Sequence, residues 1–150
     1  MAAAHTRTMA TIDSSTHRVA ATAGGVRKAA DALARFTKAR RITPDEAWPV
    51  QLALNEWLTN IVEHAYRDRR TGVIDVRYLL TDGSLAVTVM DDGPEFDPLS
   101  LPPPDTDEPI ENREPGGLGV HFIRQLMDRV EYSRIEGRNT LVFRKKVGST

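Results

Sequence analysis

The stretch Glu56-Trp57-Leu58-Thr59-Asn60-Ile61-Val62-Glu63-His64-Ala65-Tyr66 decides how this chain is read. Trp57, Leu58, Ile61, Val62 and Ala65 recur at helical spacing, and Glu56 and Asn60 stand four apart on an adjoining polar face. The helix starts upstream with a capping box: Thr43 is the N-cap, Pro44 the first helical residue, and Glu46 lies three residues after the cap. Val50, Ala53 and Leu54 carry the apolar stripe back to that start, which makes this a buried-face helix with a polar edge available for chemistry.

Outward from it, Val26, Ala29, Ala30, Leu33 and Phe36 predict an earlier helix over 25–39, preceded by a short strand over 17–22. Downstream, Ile74, Val76, Tyr78 and Leu80 alternate at period two, and a strand over 85–90 follows the turn Thr81-Asp82-Gly83-Ser84, so the two form an antiparallel hairpin. Asp91-Asp92-Gly93 closes that second strand. Six of the nine prolines then fall between Pro94 and Pro109, which rules out helix or central strand and predicts a long loop. Gly116-Gly117-Leu118-Gly119 opens a last helix carrying Phe122, Ile123, Leu126 and Met127, and a second hairpin spans 130–135 and 140–146 around Glu136-Gly137-Arg138-Asn139. Strands arriving as hairpins predict an α+β chain: a two-layer α/β sandwich whose mixed, mainly antiparallel sheet has its helices on one face.

A chain of 150 residues makes one compact domain, here 16–150, behind an Ala-, Thr- and Ser-rich stretch over 1–15 that reads as a poorly ordered tail. With 27% charged residues and a formal net charge of -1, there is no electrostatic case for direct nucleic-acid or membrane binding. No cysteine is present, which excludes disulfides, thiolate nucleophiles and zinc-thiolate sites. No stretch approaches the roughly 20 apolar residues of a membrane span, and the N-terminus lacks a signal-peptide core, so a cytoplasmic protein is expected.

Three polar motifs bracket one potential site. Magnesium takes oxygen ligands and keeps several waters, so the Asn60 amide oxygen with phosphate oxygens can hold it, and Glu56, one turn earlier, can take a proton from an attacking hydroxyl or water. Asp91, at the end of an apolar strand, can accept a hydrogen bond from an adenine amino group, and Gly93 allows close backbone approach. Gly116, Gly117 and Gly119 at a helix start let amides reach phosphate oxygens. Each motif also has a plainer reading: an exposed helix face, a strand-ending turn, a loop hinge. The Walker and dinucleotide patterns do not fit, because no Gly-Lys-Ser/Thr and no βαβ unit surround these glycines. Nine Asp or Glu against one Arg between Asp91 and Glu114 make the long loop a poor triphosphate cradle, so it is read as arching over the site. The four histidines lack metal-site spacing, and His64 is read as a structural hydrogen-bonder.

The order of the motifs resembles the GHKL ATPase/kinase superfamily, and most closely its standalone anti-sigma factor serine/threonine-protein kinases, over about residues 17–147. Glu56-x-x-Thr59-Asn60-x-x-x-His64-Ala65-Tyr66 is similar to that family's N-box, Asp91-x-Gly93-x-x-Phe96-Asp97 to its G1 box, and Gly116-Gly117-Leu118-Gly119 to its G2 box. Glu95 departs from the pattern, standing where many members carry a second glycine. The resemblance implies a Bergerat ATP-binding sandwich with ATP and Mg2+ as cofactors. It implies Asn60 as magnesium ligand, Glu56 as general base and Asp91 as adenine reader supported by Gly93. Gly116, Gly117, Leu118 and Gly119 would border the phosphates at the end of an ATP lid over 98–115, and Thr140 would lie near the adenine. It further implies a kinase that phosphorylates a serine on a STAS-domain anti-anti-sigma partner and sequesters a sigma factor, often as a homodimer. A nucleotide-gated regulator-binding module without kinase activity and a simple ATPase are the other readings these residues allow.

Overall fold

The computed structural model describes residues 13–65, 72–100 and 117–148. In chain order these form strand β1 (Asp13–Ala20), helix α1 (Ala23–Ala39) and helix α2 (Pro44–Asn60), which runs on into one π-helical turn (Ile61–Ala65). Strands β2 (Val73–Thr81) and β3 (Ser84–Asp91), helix α3 (Gly117–Leu126), and strands β4 (Arg129–Ile135) and β5 (Arg138–Lys146) complete the domain. Most of the expected lid lies outside the described residues; its first three form a short 3₁₀ turn, Pro98–Ser100.

The strands make one five-stranded sheet in the order β1-β2-β3-β5-β4. All four neighbouring pairs are antiparallel, so the expected mixed sheet is in fact wholly antiparallel. The reason is the crossover through α3: it carries the chain from β3 to the far edge strand β4, and the hairpin then returns β5 between them. β3 and β4 run in the same direction without touching.

Both hairpins close with two-residue turns, Asp82-Gly83 at φ 50° and 78° and Glu136-Gly137 at φ 51° and 76°. Paired positive φ values match the right-handed twist of the flanking strands, and a glycine at the second position takes that conformation without steric cost. The second turn is therefore shorter than the four residues expected, and Arg138 and Asn139 belong to β5. β1 starts at Asp13 rather than at residue 17, pairing along its whole length with β2 from Asp13↔Leu80 to Ala20↔Val73. Its polar residues give no alternation to read; the partner strand recruits it.

The helices cover one face. Ile74, Val76 and Tyr78 of β2, Val87 and Val89 of β3, and Leu141 and Phe143 of β5 are buried against Leu33 of α1 and Leu54 and Leu58 of α2. The Tyr78 hydroxyl satisfies itself by donating to the Ala29 carbonyl of α1 at 2.7 Å. The Thr43 capping box forms as the spacing predicts, with the Glu46 amide donating to Thr43 Oγ1 and the Thr43 amide to Glu46 Oε1. On the opposite face Asp75 is only 7% exposed and accepts from Arg18 Nε at 2.8 Å and from Arg138. Among the described residues no helix is long and apolar enough to cross a membrane.

Candidate functional site

β3 runs its alternation through to its last residue, which places Asp91 on the helix-covered face in register with Ile74 on one side and Asn139 on the other. Asp91 is 2% exposed. Its Oδ1 accepts from the Gly93 amide at 2.9 Å and from Asn139 Nδ2 at 3.1 Å. Among the described residues both hydrogen bonds fall on that one oxygen, which leaves Oδ2 as an acceptor for something else. Burial pushes the Asp91 carboxyl above the usual carboxylate range, opposed by the hydrogen bonds from Asn139 and Gly93.

Asp91 forms part of the wall of a cleft of about 220 Å³, lined as well by Trp57, Asn60, His64, Ala65, Phe96 and Asn139. α2 supplies Trp57 and Asn60 three residues apart, and the π-helical turn that follows supplies His64 and Ala65. A π turn carries an extra residue per turn, so it re-aims the side chains that a continued α-helix would have sent elsewhere. The Trp57 and Phe96 rings lie nearly parallel, 14° apart with centroids at 6.1 Å. Glu56 is half-buried one turn before Asn60 on the same helix and is not part of the cleft lining.

Gly93 is held tightly between the π turn and β3. A Cβ placed there would come within 2.8 Å of Ala65 Cβ and 3.0 Å of Asp91 Oδ1, so only glycine fits. Its carbonyl accepts from Arg134 Nη1 at 2.9 Å, tying the turn to β4.

Among the described residues His64 Nε2 is buried without a hydrogen-bond partner, as is Trp57 Nε1. Unsatisfied buried donors and acceptors are costly, and the rims of binding clefts are where they persist. Among the described residues there is no group of three or more Asp, Glu, His or Cys placed to hold a metal ion. An acceptor carboxylate, a close glycine and two aromatic walls fit an adenine base, and a lone amide beside them fits magnesium carried by phosphates.

Asp91 and Asn60 thus line one cleft, and Gly93 packs beside it against Ala65 and Asp91. Gly117, Leu118 and Gly119 open α3, which packs against α2, whereas Gly116 lies outside the described residues. Thr140 does not join the cleft. In β5 the residues facing the helices are Asn139, Leu141 and Phe143, so Thr140, in register with Met90, points to the opposite face, where among the described residues its Oγ1 is buried without a partner. The expectation fails by one residue, and one residue is enough to reverse a strand side chain.

The residue that sequence reading missed is therefore Asn139. It is 4% exposed, and both ends of its amide are engaged. Oδ1 accepts from the Phe96 amide at 3.1 Å, Tyr132 Oη at 2.6 Å and Arg134 Nη1 at 3.2 Å. Nδ2 donates to Asp91 and, at 2.8 Å, to the Pro94 carbonyl. A two-residue turn at Glu136-Gly137, read together with the inward Leu141 and Phe143, would have placed Asn139 inward.

Residues 19–145 match the histidine kinase-like ATPase domain. The serine-protein kinase RsbW of Bacillus cereus (strain G9842) is 33% identical over 102 residues, 65% of this chain and 63% of the relative. That of Listeria monocytogenes serovar 1/2a is 37% identical over 92 residues, 59% of each chain. The chain thus spans less than two thirds of the length of these curated relatives. Among solved structures, the RsbU and RsbW domains of a Mycobacterium tuberculosis protein superpose with a TM-score of 0.67 at 17% identity, covering 92% of this chain and 33% of that one. The SiaB–SiaC complex of Pseudomonas aeruginosa gives 0.54 at 18% identity, covering 94% and 93%. At those identities the likeness is one of fold.

Proposed function

The chain belongs to the histidine kinase-like ATPase domain family, and from that premise we propose that it is a magnesium- and ATP-dependent serine kinase acting on a regulatory protein. The observation that carries the reading is Asp91: a buried carboxylate with one oxygen engaged and the other left for a ligand, in a cleft that also holds Asn60. An acceptor-only group there selects a base bearing an amino donor, which adenine has and guanine lacks at the same ring position. Gly93 keeps the backbone clear of the base, Trp57 and Phe96 wall it, and the amides that open α3 at Gly117, Leu118 and Gly119 border the phosphates.

Asn60 would hold magnesium, which when bound neutralises charge on the phosphate oxygens. Glu56, one turn away, takes the proton of the incoming serine hydroxyl as the serine oxygen bonds to the γ-phosphorus and the bond to the leaving ADP oxygen breaks. Positioning and charge neutralisation supply most of the acceleration in such transfers.

The two RsbW relatives are named serine-protein kinases, and this supports a serine acceptor. We take the acceptor to be a STAS-domain anti-anti-sigma protein and the sequestered partner a sigma factor. The test is to incubate the chain and ATP with STAS proteins of its organism and look for phosphoserine by mass spectrometry. Phosphoserine on one candidate supports the proposal. Partner affinity that changes with ATP while no phosphoserine forms would replace it with a nucleotide-gated binding module.

A further inference from the structure

Asn139 sits between two groups of atoms that a nucleotide site must hold still. On one side are the carboxylate that would read the base and the Gly93-Pro94 turn; on the other are the Phe96 backbone and two side chains of β4, Tyr132 and Arg134. A planar amide is well suited to this place because it presents donors and an acceptor in one rigid unit. Its Nδ2 donates to Asp91 Oδ1 at 3.1 Å and the Pro94 carbonyl at 2.8 Å, while its Oδ1 receives three donors. With both ends saturated, Asn139 has nothing left to offer a ligand directly. What it does is occupy Oδ1 of Asp91 and so fix which oxygen remains for the cleft. Through the Phe96 amide it also fixes the residue whose ring lies against Trp57.

We propose that Asn139 is the positioning residue that sets base selectivity: it holds Asp91 with one oxygen spent and the other aimed at an amino donor, and anchors the Phe96 wall in the same network. This rests on the nucleotide reading above and adds to it the residue on which discrimination between an amino and an oxo purine depends.

Selectivity separates this role from simple support of the fold, because a loosened fold weakens all nucleotides alike. The probes are ATP and inosine triphosphate, which differ in the group that Asp91 would meet. Wild type is expected to prefer ATP by about 10-fold or more, the range of one hydrogen bond to a charged acceptor. In Asn139→Ala the ratio of the two Kd values from calorimetry should fall by about 5-fold or more, mostly through lost ATP affinity. Equal weakening of both nucleotides, with the ratio kept, would overturn the proposal.

Should Asn139→Ala fail to fold, Asn139→Asp supplies a second reading. It sets a second carboxyl against Asp91, and two carboxylates this close share a proton rather than both ionise. ATP affinity should then fall as pH rises from 6 to 8.5, more steeply than in wild type. Asp92 just after β3, Glu95 in the loop beyond it, Arg134 on β4 and His64 on the π turn border the same region in both proteins, so whatever they contribute is common to the two profiles. Identical profiles would contradict the proposal. No binding of either nucleotide by wild type would overturn the nucleotide reading itself, whereas ATP binding with an unmoved ratio overturns only the role of Asn139.

Discussion

Gly93 and Ala65 are packed so closely that a methyl group on the glycine would lie 2.8 Å from the alanine Cβ, which fixes the turn after β3 against the π turn after α2. The contact joins the two elements that form the cleft, one carrying Asp91 and the other continuing from Asn60. Gly93→Ala is therefore expected to push these elements apart, lowering stability by about 1–3 kcal/mol as overpacking does. ATP affinity should fall by more than that loss of stability would cause alone. Calorimetry beside thermal unfolding checks this; unchanged affinity would show that the spacing is not part of the site.

Asp91 is held at a cost to the fold. Burial raises its pKa, so ionising it works against folding. A raised folded-state pKa means that its contribution to stability is fully present below the unfolded value, about 3.9, and is lost as pH rises through the folded value. Asp91→Asn keeps the shape and an oxygen for the Gly93 and Asn139 donors, but no charge. It should be at least as stable as wild type near neutral pH while losing ATP binding. A variant that melts lower and still binds ATP would contradict this.

Asp75 behaves oppositely. Hydrogen bonds from Arg18 and Arg138 hold its carboxyl below the usual range, with burial opposing them. A depressed pKa gives stability that is present above about pH 4 and lost as pH falls through the folded value. Asp75→Asn should cost about 1–2 kcal/mol near neutral pH, below the usual charged hydrogen-bond range because Arg18 is 69% exposed. The gap between variant and wild type in chemical denaturation should close in acid. A gap independent of pH would mean that shape, not charge, is what Asp75 supplies.

The capping box makes a smaller, local claim. Thr43→Ala removes the acceptor for the Glu46 amide and should cost about 1 kcal/mol in denaturant unfolding. ATP affinity should stay unchanged, since Thr43 lies at the far end of α2 from Asn60. A loss of affinity would show that α2 transmits strain along its length.

Much of this was legible in the chain because its signals are local. The capping box of Thr43 and Glu46, the alternation of Ile74, Val76 and Tyr78, and the Asp91-x-Gly93 turn each declare themselves within a few residues. What was not legible depended on register and partners. Asp13–Ala20 is a strand because β2 pairs with it, not because its own pattern is apolar. Asn139 looked like a turn residue until the turn closed in two residues, and that one difference moved the inward position from Thr140 to its neighbour. Glu56 and Asn60 were found together by helical spacing, yet only Asn60 lines the cleft.

That separation frames the most direct test, since Glu56 is assigned to the transfer step and not to holding the nucleotide. Glu56→Gln should bind ATP with the wild-type Kd in calorimetry. In single turnover with an acceptor that wild type phosphorylates, its transfer of labelled γ-phosphate should be slower by about 100-fold or more, the usual range for loss of a general base. Equal transfer rates for wild type and Glu56→Gln would contradict the account.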